Sequence, residues 1–330
     1  MTSGEANRVY FDTISDTYDS KPFFHVVNQK VTDDLRTRLH WLGIPFLEKG
    51  TTSEDHSVRH LDYACGTGLM SRVRHPFHLV SPHSALAHHM QILAPYVTET
   101  RAIDVSPNMV TTYNARAHAA GFSIDVMNAV VGDLLDAENP SPTGAEWDGF
   151  DVATAGFAFH HFNDVVLAAR RLKERLRPGG VVVISDFLEG GDLKADEEGN
   201  PVEGSEGTWA VHHHHGDGHR HGYGHEHGHE HEHGHGHVHG HEEGQHRHHN
   251  VMDAGNHGEF PHNKMKASIR VEGASFTVDG VKRFFTEAGL IDVDVVTMQE
   301  RVYMEFAGQK LWRTVLFARG RRPAEAKSEL

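Results

Sequence analysis

The chain has 330 residues, a formal net charge of −15 and a single cysteine, Cys65. That length suits one large α/β domain with insertions; one cysteine excludes an internal disulfide framework and points to a reducing cytoplasmic or nuclear setting. The acidic balance argues against a nucleic-acid backbone as partner. No apolar run approaches the roughly 20 residues of a membrane span, and Met1 to Asn7 lack the basic and apolar pattern of a secretion signal.

In chain order, Val26, Val31, Leu35 and Leu39 recur at helical spacing, so a first helix is expected to end near Gly43. A first strand should run to Tyr63, followed by a helix from Gly68. Strand Glu99 to Asp104, helix Asn108 to Ala120 and strand Ile124 to Val131 come next. Phe150 to Ala155 and Val181 to Phe187 read as buried strands around a helix from Asp164 to Leu176, which stops before Pro178-Gly179-Gly180. Val278 to Ala288 reads as a helix capped by Gly289, with closing strands Ile291 to Val296 and Leu311 to Ala318. Alternation of this kind implies a doubly wound, mostly parallel sheet that binds ligands at the carboxyl ends of its strands.

Two segments break the alternation. From His212 to His249 lie eighteen of the 32 histidines, every second residue being histidine from His225 to His241. A glycine-rich polar tract cannot bury enough surface to offset its ordering entropy, so 188–261 is expected to be a disordered insertion. The nineteen residues Val73 to Gln91 separate Gly-Leu-Met-Ser-Arg from Ile-Leu-Ala-Pro-Tyr-Val, which join into one amphipathic helix without them. Since a valine codon begins GT and a glutamine codon can end AG, they are either a retained intron or a surface insertion.

Three acids close three successive strands. Leu61-Asp62-Tyr63-Ala64-Cys65-Gly66-Thr67-Gly68 puts Asp62 and two glycines at a strand-to-helix turn, where backbone amides can approach a nucleotide or carboxylate and Asp62 can accept from a ligand ammonium. Asp104, at the end of the second strand, is placed for the two hydroxyls of a ribose. Asp133, in Gly132-Asp133-Leu134-Leu135, is placed to accept from an adenine amino group. A helix cap remains the plain alternative for any one of them.

Together with Phe150-Asp151-Val152, Phe159-His160-His161-Phe162 and Leu176-Arg177-Pro178-Gly179-Gly180, these motifs resemble the class I S-adenosylmethionine-dependent methyltransferases of the small-molecule, UbiE-like type, over about Tyr10 to Arg321. The resemblance implies a Rossmann-like seven-stranded sheet with an antiparallel C-terminal strand. It also implies an S-adenosyl-L-methionine site built from Tyr18, Asp62, Ala64, Cys65, Gly66, Thr67, Gly68, Asp104, Val105, Met109, Asp133, Leu134 and Ala155. Ala64 stands where the family usually has glycine, and Tyr10-Phe11-Asp12 to Tyr18-Asp19 resembles an aromatic lid. On this reading 1–50 is an N-terminal lid and acceptor region, 51–187 the cofactor-binding core and 262–330 the end of the domain.

Methyl transfer is an in-line displacement that alignment and water exclusion can carry. For a hydroxyl or acidic-carbon acceptor, His160 or His161 is the candidate general base. The expected substrate is a small molecule, with O- or C-methylation favoured. The tract His212 to His249 can chelate divalent metal in exchangeable arrangements without being a defined site. A nicotinamide-dependent oxidoreductase is the nearest enzymatic rival, but Gly66-Thr67-Gly68-Leu69-Met70-Ser71 lacks the third glycine of the dinucleotide fingerprint. A non-catalytic cofactor- or metal-binding protein on the same scaffold is the other alternative.

Overall fold

The computed structural model describes residues 3–15, 18–20, 22–47, 56–68, 92–208, 276–306 and 309–324. The chain divides into two units, 1–211 with 262–330 and 212–261, and the second lies outside the described residues. So do Val73 to Gln91, the helix expected after Gly68 and the histidine tract.

The first unit is built on a seven-stranded sheet of β1 (Arg59–Tyr63), β2 (Glu99–Asp104), β3 (Met127–Val131), β4 (Phe150–Gly156), β5 (Leu176–Phe187), β7 (Ile291–Thr297) and β10 (Val315–Arg321), in the order β3-β2-β1-β4-β5-β10-β7. The pairs from β3 to β5 are parallel, whereas β10 runs antiparallel to both neighbours. Parallel strands covered on both faces read as continuous apolar runs, and β4 is buried at every residue from Phe150 to Ala155.

One face of the sheet packs Leu61, Ile103, Ala153, Val182 and Ile184 against Leu172 of α5 (Val165–Arg175) and Phe285 of α6 (Val278–Glu287). On the other face, Val152, Val181, Val183 and Phe317 meet Val27, Val31 and Leu35 of α2 (Pro22–Thr37) and Leu42 of α3 (Leu39–Leu42). Ala102 and Ala129 meet Val110, Tyr113 and Ala117 of α4 (Pro107–Ala119) there too. The helices start where side-chain acceptors replace missing backbone partners: Ser106 accepts from the Met109 amide, Asp164 from Leu167 and Thr277 from Gly280. An additional N-terminal helix, α1 (Ser3–Ile14), precedes them.

Several expectations need correction. Ile124 to Val126 form a turn, not the start of β3, and Ile124 is 67% exposed. The single closing strand expected over Leu311 to Ala318 is two, β9 (Gln309–Arg313) and β10, parted at Thr314, whose hydroxyl donates to the Gly191 carbonyl. β9 pairs with the unforeseen strands β8 (Val302–Phe306) and β6 (Leu193–Lys194) in a second sheet of order β6-β9-β8.

The boundary at residue 188 is also displaced, because 188–208 is ordered here. Buried Asp192 pairs with Arg313 at 3.0 Å, Asp192 bridges Gly207, and Ala195 bridges Pro201. Phe276 is tied to Glu189 just after β5. The Glu189 amide donates to the Phe276 carbonyl at 3.1 Å, and the Phe276 amide donates to Glu189 Oε2 at 3.2 Å. The Thr208 hydroxyl lies 3.9 Å from the position a Cβ would take on Gly190.

Candidate active site

The carboxyl ends of β1, β2 and β3 deliver the three acids to one sheet edge, and the turn after β1 is shaped to meet them. Ala64, Gly66 and Gly68 all have positive φ, of 53°, 51° and 97°. The turn is tied to β2 by the Cys65 amide on the Ile103 carbonyl and closed by the Gly68 amide on the Cys65 carbonyl. Among the described residues nothing lies within 4 Å of a Cβ built on Gly66.

Asp104 is the hub of this edge, at 6% exposure. Its Oδ2 accepts from the Gly66 amide at 2.7 Å and its Oδ1 from the Ser106 amide at 2.9 Å. Each oxygen thus keeps a lone pair for one of two vicinal hydroxyls. Burial pushes its pKa up to about 6 against the opposing pull of those amides, and Asp12 adds to the rise. Val105 follows it, half-buried, and Met109, on α4, is fully buried beneath.

Asp133 Oδ1 accepts from the Tyr63 hydroxyl at 3.0 Å and the Leu135 amide at 2.8 Å. Its Oδ2 accepts no hydrogen bond from the described residues and faces Gly4 of α1, where a Cβ would come within 2.6 Å. Leu134 and Ala155 are both core residues beneath the edge, and Thr67 is buried, its carbonyl accepting from Arg116.

Asp62 is turned into the sheet at 1% exposure and accepts from the Thr154 hydroxyl at 3.2 Å. This differs from the ligand-facing position expected for it. Thr154 in turn meets His60 Nε2 at 2.8 Å, and His60 Nδ1 meets the Thr100 hydroxyl at 3.2 Å. Because Thr154 spends its proton on Asp62, His60 must donate from Nε2 and accept at Nδ1. Burial lowers the His60 pKa to about 3, which keeps the ring neutral in that role. The relay from Thr100 to Asp62 stiffens the strand that carries the turn.

The N-terminal helix lies against this edge. Asp12 Oδ1 accepts from the Ser106 hydroxyl at 2.5 Å and the Asn108 amide at 3.3 Å, at the start of α4. Asn7 Nδ2 donates to the His161 carbonyl at 3.1 Å. Tyr18 stacks on Phe24 at 5.2 Å and edges Phe11 at 6.2 Å, and Phe11 stands edge-on to the His161 ring at 5.2 Å.

The two candidate bases receive different surroundings. His161 has its Nδ1 buried with no hydrogen-bond partner among the described residues, and burial, then the neighbouring His160, holds its pKa well below the ordinary value. His160 keeps 31% of its side-chain surface and places Nδ1 2.9 Å from Asp186 Oδ1, on a carboxylate that is 2% exposed. Asp186 was not singled out from the sequence. Its signal was the one already used for Asp104 and Asp133, an acid at the carboxyl end of a strand, here in Ser185-Asp186-Phe187.

Beyond β5, the Phe187 ring lies 4.8 Å from that of Phe157, and the Arg313 guanidinium stacks 3.8 Å over Phe187. Among the described residues no group of three or more His, Cys, Asp or Glu is placed to hold a metal.

A sheet of this order with one antiparallel strand inside its edge is the Rossmann-like methyltransferase fold. Residues 61–182 match the family model described as a methyltransferase domain. An uncharacterized methyltransferase of Schizosaccharomyces pombe is 31% identical over 134 residues, 40% of this chain, and the match spans only 39% of that relative's length. Among solved structures, the YcgJ protein of Bacillus subtilis is 14% identical with a TM-score of 0.39, covering 82% of this chain and 93% of that one. The phosphoethanolamine N-methyltransferase 2 of Haemonchus contortus, solved with S-adenosyl-L-methionine, is 12% identical with a TM-score of 0.40, covering 95% of this chain and 60% of that one. Over 61–182, a little over a third of the chain, the protein is thus similar to methyltransferase domains.

Proposed function

We propose that the protein transfers a methyl group from S-adenosylmethionine to a small-molecule acceptor, at oxygen or at an acidic carbon. The observation that carries this reading is Asp104: a buried carboxylate clamped by the Gly66 and Ser106 amides, with one acceptor site left on each oxygen. A vicinal diol, which can donate two hydrogen bonds, fits that pair of acceptors. On this reading Asp104 holds the ribose, Asp133 Oδ2 the adenine amino group, and the turn at Gly66 the methionine end. When bound, the sulfonium supplies a methyl group activated towards in-line displacement. The acids gathered at this edge favour a cationic ligand over its neutral product.

Calorimetric titration of S-adenosylmethionine and S-adenosylhomocysteine tests the proposal. Binding to the wild type and its loss in Asp104→Ala supports the site; no binding to the wild type overturns it. The reading also includes weak, exchangeable divalent-metal binding by the histidine tract and a cytoplasmic setting. Nickel titration of the chain with and without His212 to His249 checks the metal part.

A further inference from the structure

We infer that His160 is the general base of the transfer, that Asp186 is its positioning residue, and that the acceptor is therefore a neutral hydroxyl of phenolic or enolic type which must lose its proton as it is methylated. The inference rests on the methyl-transfer reading above and names its substrate class.

Geometry fixes the tautomer. An ionised carboxylate only accepts, and Asp186 accepts from the His160 amide at 3.2 Å, the Phe187 amide at 2.8 Å and the His160 ring at 2.9 Å. The ring nitrogen facing it, Nδ1, must carry the proton. Nε2 is then bare, on a side chain that keeps almost a third of its surface. A base oriented by a buried carboxylate is the arrangement that hydrolases use to activate a hydroxyl.

Among the described residues, the charged and titratable groups placed at the ring are these. Asp186 holds it from β5, and the His161 ring lies 4.1 Å away on the same turn. Arg313 stacks on the far element, over Phe187, with its charge matched by Asp192. His161 does not share the role, since its ring is packed under Phe11. An aromatic amine is already neutral and attacks before it loses a proton, and an aromatic thiol is largely ionised near pH 8, so neither requires such a base.

The step balances. The acceptor O–H proton passes to His160 Nε2 as the oxygen forms a bond to the methyl carbon. The carbon–sulfur bond breaks, and its electron pair stays on sulfur as a neutral thioether. The imidazolium then releases its proton to solvent.

The test uses the full chain, His160→Gln and Asp186→Asn, with radiolabelled S-adenosylmethionine and a series of 4-substituted phenols from 4-methoxyphenol to 4-nitrophenol at about pH 8. The expected loss in His160→Gln is about 10²- to 10⁴-fold on the least acidic phenols, shrinking towards none on 4-nitrophenol, which is already ionised. Asp186→Asn should follow the same trend with a smaller loss. A second readout needs no turnover: in a histidine-selective ¹⁵N spectrum, the signals missing from His160→Gln should show Nδ1 protonated and Nε2 bare. A uniform loss across the series, an Nε2-protonated ring, or methylation of aniline or thiophenol but no phenol overturns the inference. So does a wild type that binds S-adenosylhomocysteine yet methylates no phenol. Absence of S-adenosylhomocysteine binding would overturn the methyl-transfer reading itself.

Discussion

On the proposed reading, the raised pKa of Asp104 makes S-adenosylmethionine binding, as well as stability, respond to pH in a way that one substitution isolates. With a folded pKa of about 6 against an ordinary 3.8, the shift is about 2.2 units, or about 3 kcal/mol at 1.36 kcal/mol per unit. Between about pH 4 and 6 the folded chain holds this proton and the unfolded chain does not. Asp104 therefore adds stability that is fully present below about pH 4 and is lost as pH rises through 6. His60 works in the opposite sense: its pKa of about 3, against 6.5, removes stability as pH falls below 6.5, again by 1.36 kcal/mol per unit. The Asp104 slope opposes that of His60 between about pH 4 and 6, and His161, also held low, adds to the His60 side, so the wild-type curve does not isolate Asp104. Asp104→Asn uncovers it, and should lose about 3 kcal/mol more than the wild type between pH 6 and 4 in urea unfolding. Ligand binding gives the mirror image. Only the ionised carboxylate accepts from both hydroxyls, so wild-type affinity for S-adenosylhomocysteine should fall about tenfold from pH 7.5 to 5, while residual binding to Asp104→Asn stays flat. Parallel stability curves for the two proteins, or equal pH dependence of binding in both, would refute the reasoning.

Three further outcomes are expected. Ala64→Gly relieves a left-handed alanine that costs about 1 kcal/mol, and after the added entropy of the unfolded glycine should stabilise the protein by a few tenths of a kcal/mol; thermal unfolding with a lower midpoint would contradict this. Cys65 is the chain's one thiol, and burial, then the nearby Asp104 and Asp62, pushes its pKa well up. A thiol-reactive dye should label it slowly, and more slowly with S-adenosylhomocysteine; unchanged labelling on ligand addition would move the ligand away from this turn. Deleting His212 to His249 should leave the thermal midpoint within about 2 °C at pH 8 and abolish any change in association between about pH 5 and 7; a large drop in midpoint would show the tract to be part of the fold.

The sheet and three of its acids were legible because each was announced twice, by an apolar run and by the residue that ends it. Asp104 and Asp133 follow strands whose register is fixed by burial on both faces, and Gly66 and Gly68 mark the turn between. Asp186 is less legible because its strand runs into Leu188-Glu189-Gly190-Gly191, whose composition suggests a loop. The same composition misplaced 188–208, where order comes from distant partners: Asp192 needs Arg313, and Lys194 needs Leu311. β8 was missed for a related reason, since Val302–Phe306 pairs only with β9 and β9 was fused with β10 across Thr314. The position of Asp62 in the motif is visible in the sequence, whereas the Thr154 hydroxyl that donates to it comes from β4 and is itself held by His60.

The clasp at Glu189 and Gly190 has a consequence for how this gene can change. Because Thr208 lies beside Gly190 and Phe276 is hydrogen-bonded to Glu189, the segment between them joins two neighbouring points. Doubling such a loop costs only about 0.6 kcal/mol. Repeats can be gained or lost there by slippage of the coding sequence with little change to the catalytic edge, so closely related chains should differ in histidine count far more than in anything that touches Asp104.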